Sequence, residues 1–224
     1  MGIRLSPASQ RLVVYLALHG GMVRRTAVAG SLWPDAVERR AYSSLRSALA
    51  RLDRTGVRAL HVTKSEIALA ENVAVDIRHS RALARRLLDP RRPASGADLS
   101  AATREALSAD LLPGWYDDWV LIEADRWRQL RLHALEALAR GLIADGRCGE
   151  AADAAGTAIR ADPLRESARA TLITVHLAEG NQSEALREFA GYQRLLQTEL
   201  GLQPTARLSR LLHGLPIHGA DAAN

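Results

Sequence analysis

Apolar residues recur at helical spacing three times in the first part of the chain. Leu12 and Leu16, flanked by Val13 and Ala17, predict a first helix, with Ser6-Pro7 as cap and first-turn proline and Gly20-Gly21 as its stop. A short second helix is expected from Arg25 to Leu32, with Val28 and Leu32 facing inward and Trp33-Pro34 closing it. The third helix has the clearest stripe: Ala41, Leu45, Ala48, Leu49 and Leu52. Asp35 stands three residues ahead of Glu38, at capping-box spacing, and Gly56 is the expected stop. The period then changes. Leu60 and Val62, then Ile67 and Leu69, flank the polar run Thr63-Lys64-Ser65-Glu66, and this alternation predicts a β-hairpin.

Helical spacing returns at Asp76. One helix is expected from Asp76 to Leu88, carrying Ile77, Leu83, Leu87 and Leu88, and another from Asp98 to Ala109, with the breakers of Asp89 to Gly96 between them. Leu111 to Tyr116 reads as a packed aromatic corner. A long helix follows from about Asp118 to Asp145, with Trp119, Ile122, Leu130, Leu138 and Leu142 on its inner face. A repeat then emerges. Gly146 and Gly180 lie 34 residues apart, as do Glu150 and Glu184, Ala151 and Ala185, Leu138 and Leu172, and Ala144 and Ala178. That is the tetratricopeptide period, a helix pair that stacks on its neighbours. Asp162-Pro163 starts the next pair, and a last helix from about Thr205 to His213 would cap the stack. The fold class is therefore mainly α: a winged helix-turn-helix domain over residues 1–75, followed by a tetratricopeptide-like α-helical bundle over 76–224.

Charge divides the chain in nearly the same place. Residues 1–64 hold eleven Arg and Lys against three acids, a net of +8. The remainder holds nineteen bases and twenty-two acids, a net of −3, and the two make the overall +5. A polyanion is attracted to the first part and not to the second. In a winged helix the third helix enters the major groove and the hairpin approaches the backbone. Small Ser43 and Ser47 let that helix approach closely, and Arg46 on the same face reaches a guanine edge. Arg39, Arg40, Arg51 and Arg54 are placed as phosphate clamps, joined by Arg24 and Arg25 at the start of the second helix and Lys64 at the wing tip. The competing reading of these arginines is a solvated helix face.

Other chemistry finds little support. The seven histidines form no His-x-x-x-His pair, and Cys148 is the single cysteine, so neither a metal site nor an intrachain disulfide is expected. Cys148 reads as an inert cysteine at a helix start. Trp115, Trp119 and Trp127 read as core. No nucleophile elbow and no phosphate-binding loop occurs, so no enzyme activity and no cofactor are expected. The start is unlike a signal peptide and no long apolar run exists, which predicts a cytoplasmic, nucleoid-associated protein without membrane contact.

Several stretches resemble the antibiotic regulatory protein (SARP) family of actinobacterial activators and its bacterial transcriptional activator domain. They are Ser31-Leu32-Trp33-Pro34-Asp35, the segment Ala41 to Arg54 with Leu45, Arg51 and Leu52, and Leu111-Leu112-Pro113-Gly114-Trp115. Glu123 to Leu138, Asp162-Pro163-Leu164-Arg165-Glu166 and Glu199-Leu200-Gly201-Leu202-Gln203-Pro204 complete the set. The resemblance implies binding to direct repeats in promoters, as a dimer at least on DNA. It also implies contact with RNA polymerase and its sigma factor and a role in regulating secondary metabolism. With no phosphate-binding loop before its end, the chain resembles the small type without an ATPase. It departs from the family in having only Ile3 to Leu5 as a candidate strand ahead of the first helix, and Arg24 where the second helix is often capped by Ser, a change worth about 1 kcal/mol. The alternative function is a tetratricopeptide-type protein-interaction adaptor with a vestigial DNA-binding module.

Overall fold

The computed structural model describes residues 4–54 and 59–213 of the chain. Ile3, in the candidate leading strand, and Gly56, the expected helix stop, lie outside the described residues. The chain divides into two units, Met1–His79 with Tyr116–Glu123, and Ser80–Trp115 with Ala124–Asn224.

In the first unit, helix α1 (Pro7–His19) starts as expected: the Ser6 hydroxyl accepts the Ser9 backbone N–H, and Gly20, at φ 66°, ends the helix. Helix α2 (Arg25–Leu32) has Arg24 at its cap with no side-chain bond. Helix α3 (Glu38–Asp53) departs from expectation at its start. Its cap is Val37, without a side-chain bond, rather than Asp35. The reason is local. The Ala36 N–H bonds the Trp33 carbonyl at 3.2 Å, closing a turn over Pro34-Asp35, and the first helical bonds then run to the carbonyl of Val37. Leu12, Leu16, Val28, Leu32, Leu45 and Ile67 are fully buried in one core that joins the three helices to the sheet.

The hairpin is part of something larger. Strands β1 (Val23–Arg24), β2 (Leu60–Val62) and β3 (Glu66–Leu69) form an antiparallel sheet in the order β1-β3-β2. Val23 pairs with Ile67, Leu60 with Leu69, and Val62 with Ile67. Pairing on both edges makes β3 the central strand, and Ile67, Ala68 and Leu69 are all buried. Val62, on the outer strand β2, is 47% exposed. Thr63 fixes the turn: its N–H donates to the Glu66 carbonyl at 2.9 Å, and its hydroxyl accepts the Glu66 N–H at 3.0 Å.

The second unit is helical: α4 (Asp76–Leu87), α5 (Ala101–Ser108), α6 (Asp118–Ala144), α7 (Cys148–Ala161), α8 (Glu166–Ala178), α9 (Gln182–Leu200) and α10 (Ala206–Arg210). The first residues of α4 and α6 count with the first unit. The 34-residue period is written into the backbone. Gly146 and Gly180 take φ 73° and 78°. In each turn the next residue's N–H reaches back to a carbonyl five positions earlier, Arg147 to Leu142 and Asn181 to His176, both at 2.8 Å. Only glycine adopts that left-handed conformation without strain. Ala151 and Ala185, one turn later, are both fully buried where helices pack closely.

Three expectations fail here. Tyr116, at the end of the expected packed corner, is 83% exposed. Ile122 is 55% exposed, because the buried stripe of α6 runs through Val120, Trp127, Leu138 and Leu142. At about 100° per residue Ile122 lies about 200° around from Val120. Helix α5 begins at Ala101, capped by Ser100, three residues after the expected Asp98. Asp98 instead ties down the preceding loop. It accepts Ser95 Oγ at 2.6 Å and the Ser95 N–H at 3.1 Å, while Arg86 Nε donates to its other oxygen at 3.1 Å. The Ser95 bonds above all, with help from Arg86, hold its carboxyl down to about 2. A carboxylate depressed by folding stabilises the native state above its unfolded pKa, and that stability is lost as pH falls through the folded value. Urea titrations at stepped pH should therefore show about 2 kcal/mol lost between pH ~4 and ~2. Asp98→Asn should flatten that part of the profile. Among the described residues no helix is long and apolar enough to cross a membrane.

Candidate nucleic-acid interface

Helix α3 buries Ala41, Leu45, Ala48 and Leu52, and its opposite side is open. With about 100° per residue, Ser43 points directly away from that stripe, with Ala50, Arg54 and Ser47 close beside it. Arg39 and Arg46 fall on one flank of this ridge, and Arg40 and Arg51 on the other, with Arg54 at its C-terminal end. The helix thus offers a narrow crest with a guanidinium row on either side. Arg39, Arg40, Ser43, Arg46, Ser47, Arg51 and Arg54 are all exposed. The Ser47 hydroxyl donates to the Ser43 carbonyl at 3.0 Å, which keeps it folded against the helix.

The sheet brings the remaining cations to the same unit. Arg24, Arg25, Thr26, Tyr42, Lys64, Ser65 and Glu66 line one hollow. Arg24 and Lys64 are exposed. Arg25 differs from the others. It is half-buried, donates through Nη1 to the Thr63 carbonyl at 3.3 Å, and its N–H bonds the Ser65 carbonyl at 2.8 Å. It therefore anchors the wing turn that carries Lys64. Sequence reasoning missed Tyr42 and Thr26. They enter this hollow beside β1, a two-residue strand that has no periodicity to read. Arg40 is set apart from these: with Ser44, Trp33, Pro34, Val37 and Asp117 it lines a second hollow of the same unit, where Arg11 pairs with Asp117.

The electrostatic state of these side chains separates them from eight arginines of the second unit. No hydrogen bond or ion pair with a described residue engages the side chains of Arg24, Arg39, Arg40, Arg46, Arg51, Arg54 or Lys64. In the second unit, by contrast, Arg86, Arg104, Arg128, Arg131, Arg147, Arg165, Arg169 and Arg187 each pair with a carboxylate. Like charges gathered in excess of counter-charges raise the local potential and attract a polyanion.

The family model described as bacterial transcriptional activator domain matches residues 73–215. Two curated relatives are each named regulatory protein AfsR. That of Streptomyces griseus is 29% identical over 222 residues, and that of Streptomyces coelicolor 28% over 232 residues; each alignment covers 92% of this chain. The chain spans 22% of the length of either relative. Among solved structures, Mycobacterium tuberculosis EmbR, in complex with a low-affinity phosphopeptide, has the same fold with a TM-score of 0.65 at 19% identity. That likeness covers 93% of this chain and 59% of the EmbR chain.

Proposed function

The chain belongs to the bacterial transcriptional activator domain family, as its resemblance to the antibiotic regulatory proteins implied, and we propose that it acts as a sequence-specific, DNA-binding transcriptional activator. Such a protein is a regulator rather than an enzyme. In this reading α3 lies in the major groove of promoter DNA. Arg46 reads a base edge, and Arg39, Arg40, Arg51, Arg54, Arg24 and Lys64 hold phosphates. The protein binds direct repeats as a dimer on DNA, works in the cytoplasm at the nucleoid, and recruits RNA polymerase through its sigma factor, regulating secondary metabolism.

One observation carries the DNA-binding part: seven exposed cationic side chains on α3, at the start of α2 and at the wing turn have no hydrogen bond or ion pair with a described residue, while eight arginines of the second unit pair with carboxylates. This weighs against a vestigial module on an interaction adaptor, because unpaired cations repel one another and gain nothing without an anion.

The test is binding to a promoter duplex at several salt concentrations, followed by footprinting. Six phosphate contacts per module give a slope of log K against log salt of about −5 for each module bound. A slope near zero, or equal binding to unrelated duplexes, removes the reading. Two substitutions separate the roles. Arg46→Ala should cost about 1–3 kcal/mol and relax preference at one base position. Arg40→Ala should weaken binding to all sequences alike and lower the slope by about one. Competition against duplexes randomised at each position measures both.

A further inference from the structure

The helical stack of the second unit holds a cavity of about 300 Å³, at the small end of the range for small-molecule sites. Helix α8 lines it with Ser167, Thr171 and Thr174, one face at i, i+4 and i+7. Arg140 of α6 and Arg207 of α10 complete its polar wall, and Leu208 and Leu211 supply its apolar side.

The hydrogen bonding of that wall is one-sided. Ser167 Oγ donates to Glu136 at 2.6 Å, Thr171 Oγ1 to the Ser167 carbonyl at 2.8 Å, and Thr174 Oγ1 to the Ala170 carbonyl at 2.8 Å. A hydroxyl has a single proton, so these three can only accept from a ligand. Glu166, the one acid in the wall, is held by the N–H and the hydroxyl of Thr205. The donors left in the wall are the guanidiniums of Arg140 and Arg207, and neither is engaged by any described residue. Two donor forks therefore share one small cavity, and its one carboxylate, Glu166, is bonded to Thr205 rather than to either of them.

We propose that this cavity binds a small molecule carrying an oxyanion, gripped by Arg140 and Arg207, with an apolar body against Leu208 and Leu211. Planar guanidinium forks match carboxylate and phosphate oxygens equally in kind. The ligand is thus an anionic amphiphile of a few carbons, and its site is distinct from the DNA-contacting residues.

The test is an amide NMR titration of the full chain without DNA, using four probes: hexanoate, hexyl phosphate, hexanol and inorganic phosphate. Hexanoate or hexyl phosphate should shift amides of residues 166–174 and 207–211 saturably, and the tighter of the two identifies the anion. Hexanol lacks the charge and inorganic phosphate lacks the body, so both should bind at least about tenfold more weakly. The double variant Arg140→Gln, Arg207→Gln changes two exposed side chains, so it should keep the spectrum elsewhere and lose about tenfold or more in affinity. The proposal fails if neither anionic amphiphile shifts these segments, if hexanol matches them, if the shifts fall only on the winged helix, or if the double variant binds undiminished. None of these outcomes depends on whether the winged helix binds DNA.

Discussion

Replacing Glu136 with alanine is expected to destabilise the helical stack by about 3 kcal/mol, read as a lower urea midpoint with an unchanged slope. The Glu136 side chain is 5% exposed. It accepts Arg165 Nε at 2.6 Å and Ser167 Oγ at 2.6 Å, and His133 stands 4.0 Å away. Alanine would leave the Arg165 guanidinium, itself 13% exposed, without its counter-charge, and a hydroxyl without its acceptor. Removing one partner of a buried pair costs about 3–5 kcal/mol. The lower figure applies because Arg165 retains a bond to the His133 ring, which is largely exposed. Glu136→Gln keeps the shape and one acceptor oxygen, so it should recover part of the loss. Equal losses in the two variants would mean that packing, and not charge, decides the effect.

That pair also explains motif residues that the sequence displayed without a reason. Glu136 lies in the stretch from Glu123 to Leu138 and Arg165 in Asp162 to Glu166, 29 positions apart. Arg128 of the first stretch reaches Asp162 of the second at 3.1 Å. Tyr192 donates to the Leu164 carbonyl at 2.9 Å, and Glu166 holds Thr205, which follows the Glu199 to Pro204 motif. The motifs are the tethers of the stack, joining α6, α8, α9 and the α10 cap. Spacing cannot show such pairs, since it carries no information on which side chains meet across helices.

What was legible follows the same logic. Helices of three turns or more repeat their apolar residues often enough to be read, and the stripe of α3 and the 34-residue repeat stand as expected. Features with no period or with competing local bonds were missed or misplaced. The strand Val23–Arg24 has no period, Asp35 lost the cap to a turn set by Pro34, and one apolar residue, Ile122, was placed on the wrong side of a long helix. The candidate interface was legible as charge, because eleven bases against three acids in residues 1–64 are conspicuous in composition. Its geometry was not: the hollow that joins Tyr42 and Thr26 to Arg24 and Lys64 exists only because β1 pairs with β3.

Substituting Ser43 with glutamate should abolish duplex binding while leaving the fold intact. Ser43 sits on the crest of α3 directly opposite the buried stripe, and its exposed side chain packs against nothing in the core. Surface changes of this kind stay within about 0.5 kcal/mol in stability. If the crest enters the major groove, a carboxylate there faces the bases and the phosphate rows on both sides. Like charges brought together at an interface cost several kcal/mol, which is a loss of about two to three orders of magnitude in affinity. Ser43→Gln has the same length without the charge, so it isolates steric hindrance and should lose far less. Because exposed charges are screened over about 10 Å at moderate ionic strength, the penalty for glutamate should narrow as salt rises. Electrophoretic mobility shift on a promoter duplex, with the circular dichroism melt as the control for folding, measures both variants. Undiminished binding by Ser43→Glu would place the DNA on another face of the unit and take the recognition role away from α3.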